Sequence, residues 1–104
     1  MKKLTLLAAL ALSGVVLQAQ AEDEAALIKQ GEYLSRLGDC MACHSVAGKA
    51  AYAGGLAIES NLGTIYSTNI TPDKANGIGD YSYDDFQQAV RHGVAKNGDT
   101  LYPG

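Results

Sequence analysis

Cys40-Met41-Ala42-Cys43-His44 reads C-x-x-C-H, and this stretch decides the fold predicted for the chain. Two cysteines three residues apart lie on one turn of a helix, so both thiols can reach the same edge of a planar ligand. A histidine directly after the second cysteine is typical of the attachment sequence for c-type haem. The motif therefore predicts one covalent haem c on Cys40 and Cys43, with His44 as the proximal iron ligand.

Other uses of the two cysteines remain open at this point. A C-x-x-C pair also occurs in thiol–disulfide enzymes, although these carry it within a βαβ pattern that this sequence does not show. A structural zinc site needs four ligands, and the only histidine of the sequence besides His44 is His92. A simple disulfide between the cysteines would close a very small loop.

The N-terminal residues have the pattern of a secretory signal peptide, predicted here for residues 1–21. A positive start is followed by an apolar run over residues 4–17 and by the cleavage sequence Ala19-Gln20-Ala21. The alternative is an uncleaved membrane anchor, but the apolar run is shorter than the ~20 residues that a span needs. We therefore expect the mature haem domain to occupy residues 22–104 and to be exported.

The mature chain is acidic and poor in large apolar side chains. Without Lys2 and Lys3, six basic residues face eleven acidic ones, which gives a net charge of −5. This balance argues against nucleic acid as a partner. With one Phe and no Trp, the chain makes a thin core, and a tethered haem would supply the apolar mass that it lacks.

The first helix is predicted over residues 24–37, because apolar residues recur there at helical spacing. Gly38 is the predicted C-terminal cap of this helix. The residues predicted to share its apolar face are Leu27, Ile28, Gly31, Leu34 and Leu37.

The second helix is predicted over residues 82–96, with Ser82-Tyr83-Asp84-Asp85 as a capping box and Asn97-Gly98 as its end. His92 falls about 130° from the centre of the apolar stripe of this helix, so we expect it to face solvent. The stripe itself consists of Phe86, Ala89, Val90, Gly93 and Val94.

Residues 45–80 are rich in glycine and are predicted to form a long loop that wraps the haem. Within them, residues 64–70 have the composition of a short extended stretch, and Thr71-Pro72-Asp73 that of a turn. Polar side chains at Tyr66, Ser67 and Asn69 are candidate contacts for the haem propionates, together with Thr68. The alternative is that these side chains only satisfy the backbone of the loop.

These pieces together resemble a known family. The chain is similar to the first haem domain of the cytochrome c subunits of membrane-bound periplasmic alcohol, gluconate and sorbitol dehydrogenases. The similarity covers about residues 31–103, and the run from Gly63 to Asp73 is its most specific part. The other matching segments are residues 31–40, Cys43-His44, Ala53-Gly54-Gly55-Leu56, Gly77-Ile78-Gly79-Asp80, Phe86 and Leu101-Tyr102-Pro103.

The resemblance implies an all-α class I cytochrome c fold and one-electron transfer rather than substrate chemistry. It implies a dehydrogenase catalytic subunit as partner, either a quinoprotein or a flavoprotein, and a quinone or terminal oxidase as acceptor. The location implied is the periplasm, at the periplasmic face of the inner membrane for the full-length subunit.

Family members carry a distal methionine and a last helix after the Leu-Tyr-Pro segment. The methionines of this chain are Met1 and Met41, so we expect the distal ligand and the C-terminal helix to be absent from it and the chain to be an N-terminal fragment. Two alternatives to electron transfer follow, namely a fragment that is inactive alone and a haem protein whose open sixth position binds a small ligand.

Overall fold

The computed structural model describes residue 21 and residues 23–102. The predicted signal peptide, apart from residue 21, and the final residues Pro103 and Gly104 therefore lie outside the described residues. The chain divides between Cys40 and Met41 into two compact units. None of the helices in the described part of the chain is long and apolar enough to cross a lipid bilayer.

Residues 23–37 form the first helix, α1, which confirms the helix predicted from the apolar spacing. Its surface is held by an ion pair between Arg36 and Glu32, whose charged atoms are 2.8 Å apart. Both side chains are exposed, so this pair adds only a few tenths of a kcal/mol. The large apolar side chains of α1 are exposed as well, namely Leu27, Ile28, Leu34 and Leu37.

The end of α1 differs from the prediction by one residue. Gly38 still donates its N–H to the carbonyl of Leu34 at 2.9 Å, as a helical residue does. Asp39 instead takes the left-handed conformation, with φ of 53°, and donates to the carbonyl of Arg36 at 3.1 Å. Aspartate tolerates this region better than most non-glycine residues, so the left-handed residue that ends the helix can be Asp39 although a glycine precedes it.

A short helix and a β-hairpin follow α1 along the chain. The C-x-x-C-H motif forms α2, Cys40–His44, and the hairpin pairs β1, Ala57–Ser60, with β2, Gly63–Tyr66, in antiparallel register. The predicted all-α fold is thus only partly confirmed, because the described residues combine helices with a two-stranded sheet. The hydroxyl of Ser60 stabilises the tight turn by donating to the carbonyl of Gly63 at 2.9 Å.

The long loop predicted over residues 45–80 is interrupted by this hairpin, and the extended stretch predicted over residues 64–70 is a strand only as far as Tyr66. Residues 67–80 lack regular secondary structure, as predicted for the loop, and side chains satisfy much of their backbone. The carboxylate of Asp73 accepts the N–H groups of Ala75 and Asn76 at 3.0 and 2.6 Å. The chain turns so tightly here that a Cβ on Gly77 would collide with the carbonyl of Thr71. The loop is therefore a compact segment with defined turns.

The last helix, α3, spans Tyr83–His92 and begins with the predicted capping box. Its predicted end at Asn97-Gly98 is wrong, because Gly93 takes the left-handed conformation with φ of 65° and ends the helix there. Val94, which was assigned to the apolar stripe of the helix, instead forms an antiparallel bridge with Thr100. His92 is exposed, as predicted.

The described residues bury no apolar side chain completely. Apolar side chains of all sizes are instead partly or largely open, and Phe86 keeps 48% of its surface exposed. A domain of this size stabilises itself mainly by burying apolar area, so these side chains are available to cover a further apolar group.

The capping box of α3 has a consequence for pH dependence. Asp85 accepts the N–H of Ser82 at 2.9 Å, and its own N–H donates to the Ser82 hydroxyl at 3.1 Å. The hydrogen bond from the Ser82 backbone lowers the pKa of the Asp85 carboxyl below its usual value, helped by the Ser82 hydroxyl and, least of all, by the charge of Lys96, while desolvation opposes the shift.

We predict that Asp85→Asn removes a stabilising charge that acts near neutral pH. A depressed folded-state pKa contributes stability above the unfolded pKa, and this contribution is lost as the pH falls through the folded pKa. Asp84→Asn, in the same helical turn, is the matched control. Thermal unfolding should show Asp85→Asn melting below Asp84→Asn near neutral pH and the two converging in acid. A gap of constant size at every pH would contradict this assignment.

Candidate haem-binding site

The helix α2 carries both cysteines and ends on the histidine of the motif. Cys40 is partly buried, Cys43 is exposed, and no disulfide joins them. At this spacing the two side chains project from neighbouring positions of one helical turn. The arrangement suits attachment to one edge of a planar ligand and gives no support to the alternative of a simple disulfide.

His44 is held by its ring and not only by its backbone. Its Nδ1 lies 2.7 Å from the carbonyl oxygen of Thr68, twenty-four residues later in the chain. A carbonyl can only accept, so the proton of this hydrogen bond resides on Nδ1, and Nε2 of the neutral ring keeps its lone pair. Metal-bound histidines are commonly fixed in this way, by donating the other ring N–H to a backbone carbonyl.

An apolar pocket of about 470 Å³ has His44 in its wall. This volume is within the range of about 300–1,000 Å³ that is usual for small-molecule and cofactor sites. Its wall is built from the loop after β2, from α3 and from the segment after α3. The apolar side chains that line it include Ile70, Ile78, Phe86, Ala89, Val90 and Leu101.

The residues present fit a haem better than they fit a metal ion held by protein ligands alone. Thiols for two thioethers, an imidazole with a free Nε2 and an apolar pocket are the parts that a c-type haem requires. A structural zinc ion would need four protein ligands. Among residues 21 and 23–102, no group of three or more His, Cys, Asp or Glu residues is placed to hold a metal ion.

Three of the four polar residues predicted to contact haem propionates, Tyr66, Ser67 and Asn69, have different surroundings. Asn69 lines the pocket, but its Oδ1 accepts the N–H and the hydroxyl of Thr71 at 2.9 and 2.6 Å. The hydroxyl of Ser67 accepts the N–H of Leu56 at 3.0 Å, and Tyr66 is exposed on β2. Two of the three therefore already support the loop, and their contacts with propionates remain a prediction.

Sequence reasoning missed several polar residues of the pocket. Tyr81, Asn97 and Asp99 contribute to its wall. Asn97 donates from Nδ2 to Asp99 at 2.7 Å, and its Oδ1 accepts the Asp99 N–H at 3.1 Å, which closes the turn after α3. The place of Asn97 and Asp99 at the pocket follows from the early end of α3, and no local signal in the sequence marks that end except Gly93.

The carbonyl of Thr68 is the partner of His44 that sequence reasoning had no means of finding. A backbone oxygen has no signature in the sequence, and its position depends on how the loop folds back. The sequence points only to the hydroxyl of Thr68, as a candidate contact for the haem propionates.

We predict that Val90→Asp destabilises the haem-loaded protein by a few kcal/mol. Val90 lines the pocket and is exposed in the absence of a ligand. A bound haem would cover this side chain, so the substitution would bury a carboxylate against the ring, at a cost on the order of a few kcal/mol. Leu62→Asp, at the exposed hairpin turn, is the matched control and should stay within about 0.5 kcal/mol of the parent. Urea unfolding followed by haem absorbance measures both, and equal midpoints would contradict the assigned pocket.

Most of this chain is similar in sequence to curated proteins. It is 68% identical over 97 residues to the gluconate 2-dehydrogenase cytochrome c subunit of Pantoea cypripedii, covering 91% of this chain and 22% of that protein. It is 59% identical over 85 residues to the cytochrome c subunit of the alcohol dehydrogenase (quinone) of Gluconobacter oxydans, covering 82% of this chain and 18% of that protein.

A further relative is the fructose dehydrogenase cytochrome subunit of Gluconobacter japonicus, 49% identical over 77 residues, which are 73% of this chain and 16% of that protein. The chain thus spans about a fifth of the length of the curated relatives that it matches. No protein-family model matches the chain.

Proposed function

Because this chain is homologous over most of its length to cytochrome c subunits of gluconate, alcohol and fructose dehydrogenases, we propose that it is a c-type cytochrome domain that transfers single electrons. It would carry one haem c, joined covalently to Cys40 and Cys43 and bound through iron to His44. The observation that carries the proposal is the His44 ring, held by the Thr68 carbonyl with Nε2 left as the ligand atom.

The chain's own residues divide the work of holding the haem. Cys40 and Cys43 anchor the ring by thioethers, so that the domain keeps it through redox cycling. His44 offers a neutral imidazole whose basicity is raised by the hydrogen bond from Nδ1. When bound, the haem supplies one-electron chemistry at its iron.

The pocket wall contributes the low-polarity surroundings that set a reduction potential. Phe86 and Val90 of α3 and Ile70 and Ile78 of the loop face the pocket with apolar side chains, which exclude water from a bound ring. A less polar surrounding disfavours the oxidation state with the larger net charge and thereby tunes the potential. The domain is thus proposed as an electron carrier, and the substrate chemistry belongs to another subunit.

We propose a partner for the domain from the names of the proteins to which the chain is similar. Those names are of cytochrome subunits of dehydrogenases, one of them a quinone-linked alcohol dehydrogenase, which supports a dehydrogenase catalytic subunit as electron donor. A quinoprotein or a flavoprotein would serve as that donor, and a quinone or a terminal oxidase as acceptor. The signal-peptide pattern of residues 1–21 supports placing the domain in the periplasm, at the inner membrane when part of a longer subunit.

We predict that the chain, exported from its own leader in a host that matures c-type cytochromes, gives a haem-stained band on a denaturing gel. Cys40→Ala and Cys43→Ala should each reduce the stain severalfold, and the double variant should abolish it, because the stain survives denaturation only through thioethers. Met41→Leu, between the two cysteines, is the matched control and should stain like the parent.

A stable protein band without haem stain would overturn the proposal and return the cysteines to the alternative of a thiol couple. Once the stain is established, the absorption spectrum of the reduced protein with and without carbon monoxide tests whether the sixth position of the iron is open. A changed spectrum would identify an open position and favour small-ligand binding beside electron transfer.

A further inference from the structure

Gly54 is the one buried residue among residues 21 and 23–102, and it lies against the proposed haem ligand. Its N–H donates to the carbonyl oxygen of His44 at 2.7 Å. Its φ of 72° is in the left-handed region that favours glycine. The backbone of the ligand residue is therefore tied to a glycine ten positions later.

The same glycine touches the group that holds the His44 ring. A Cβ on Gly54 would collide with the carbonyl carbon and oxygen of Thr68. That oxygen is the acceptor of the hydrogen bond from His44 Nδ1. Gly54 thus lies between the two points at which His44 is fixed, its backbone carbonyl and its ring nitrogen.

We infer that Gly54 is a positioning residue for the iron ligand, which sets the orientation of the His44 ring by allowing the Thr68 carbonyl to approach. Because Gly54 has no side chain, a closed set of contacts can form, which we call the circuit. The Gly54 N–H donates to the His44 carbonyl, Gly54 lies against the Thr68 carbonyl, and that carbonyl accepts from the His44 ring. This role rests on the proposed function, since it concerns how His44 meets a bound haem.

The neighbouring glycine does not share this role. Gly55 also has a positive φ, of 93°, but a Cβ there would meet the side chains of Lys49 and Val46 at 3.3 and 3.9 Å. Those are side-chain atoms that can move, and neither belongs to the circuit around His44. Contact with the Thr68 carbonyl distinguishes Gly54 within the Gly54-Gly55 pair.

The expected consequence of a side chain at Gly54 is a change in the potential of the bound haem. Displacing the Thr68 carbonyl weakens its hydrogen bond with Nδ1, and the imidazole becomes less basic. A less basic axial ligand stabilises ferric iron less, so the reduction potential shifts to a more positive value.

The test compares Gly54→Ala with Gly48→Ala in the haem-loaded chain. Gly48 has a similar φ of 84°, but a Cβ there would meet no atom within 4 Å, so this variant carries the backbone strain without the collision. Spectroelectrochemical titration should give a more positive potential for Gly54→Ala than for the parent, and an unchanged one for Gly48→Ala. Equal potentials in all three proteins would overturn the inference.

A measurement on the parent protein decides the matter even when Gly54→Ala does not accumulate. Hydrogen exchange followed by nuclear magnetic resonance on the reduced, carbon monoxide-bound holoprotein should show the Gly54 amide and the His44 Nδ1–H slowed together, at least tenfold relative to the Gly48 amide. A Gly54 amide that exchanges as fast as that of Gly48 would exclude the circuit.

The proposed function and the positioning role of Gly54 would be overturned by different results. A parent chain without covalent haem would remove the proposed function, and with it the inference. A parent chain that carries haem, with Gly54→Ala and Gly48→Ala alike in potential, would leave the proposed function in place and remove only the positioning role of Gly54.

Discussion

The hydrogen bond from the His44 ring to the Thr68 carbonyl is the interaction on which the proposed site depends. It joins the helix of the C-x-x-C-H motif to the loop that follows the hairpin. It also fixes the tautomer of the His44 ring. Because Nδ1 donates its proton to the Thr68 carbonyl, the lone pair of the neutral ring lies on Nε2. One contact therefore determines both where the loop lies and which nitrogen is presented to a metal.

The second constraint is the shortage of apolar mass. The described residues leave Phe86, Val90 and other apolar side chains open, while these same two residues line a pocket next to His44. Hydrophobic burial is the main favourable contribution to the stability of a small domain. A bound haem would complete the core of the second unit as well as carry its chemistry, so that folding and cofactor attachment would depend on each other.

The sequence predicts much of the fold and of the site, and the parts that it does not predict have physical reasons. The motif, the helix at 23–37 and the capping box at Ser82 are local patterns. Each depends only on residues close together in the chain, so the sequence alone predicts it. The strand Gly63–Tyr66 overlaps the extended stretch predicted over residues 64–70. The strand Ala57–Ser60 was not predicted, because it has only four residues and lies in a glycine-rich segment whose composition favours a loop. The end of the last helix at Gly93 is decided by one backbone conformation, and the role of the Thr68 carbonyl by the path of the loop.

The mass of the intact, denatured chain shows whether Cys40 and Cys43 hold one haem. Protein exported in a host with c-type maturation should have the mass of the mature chain plus one haem, with no thiol left to titrate. The mass of the bare chain with two titratable thiols, from a folded and exported protein, would contradict it.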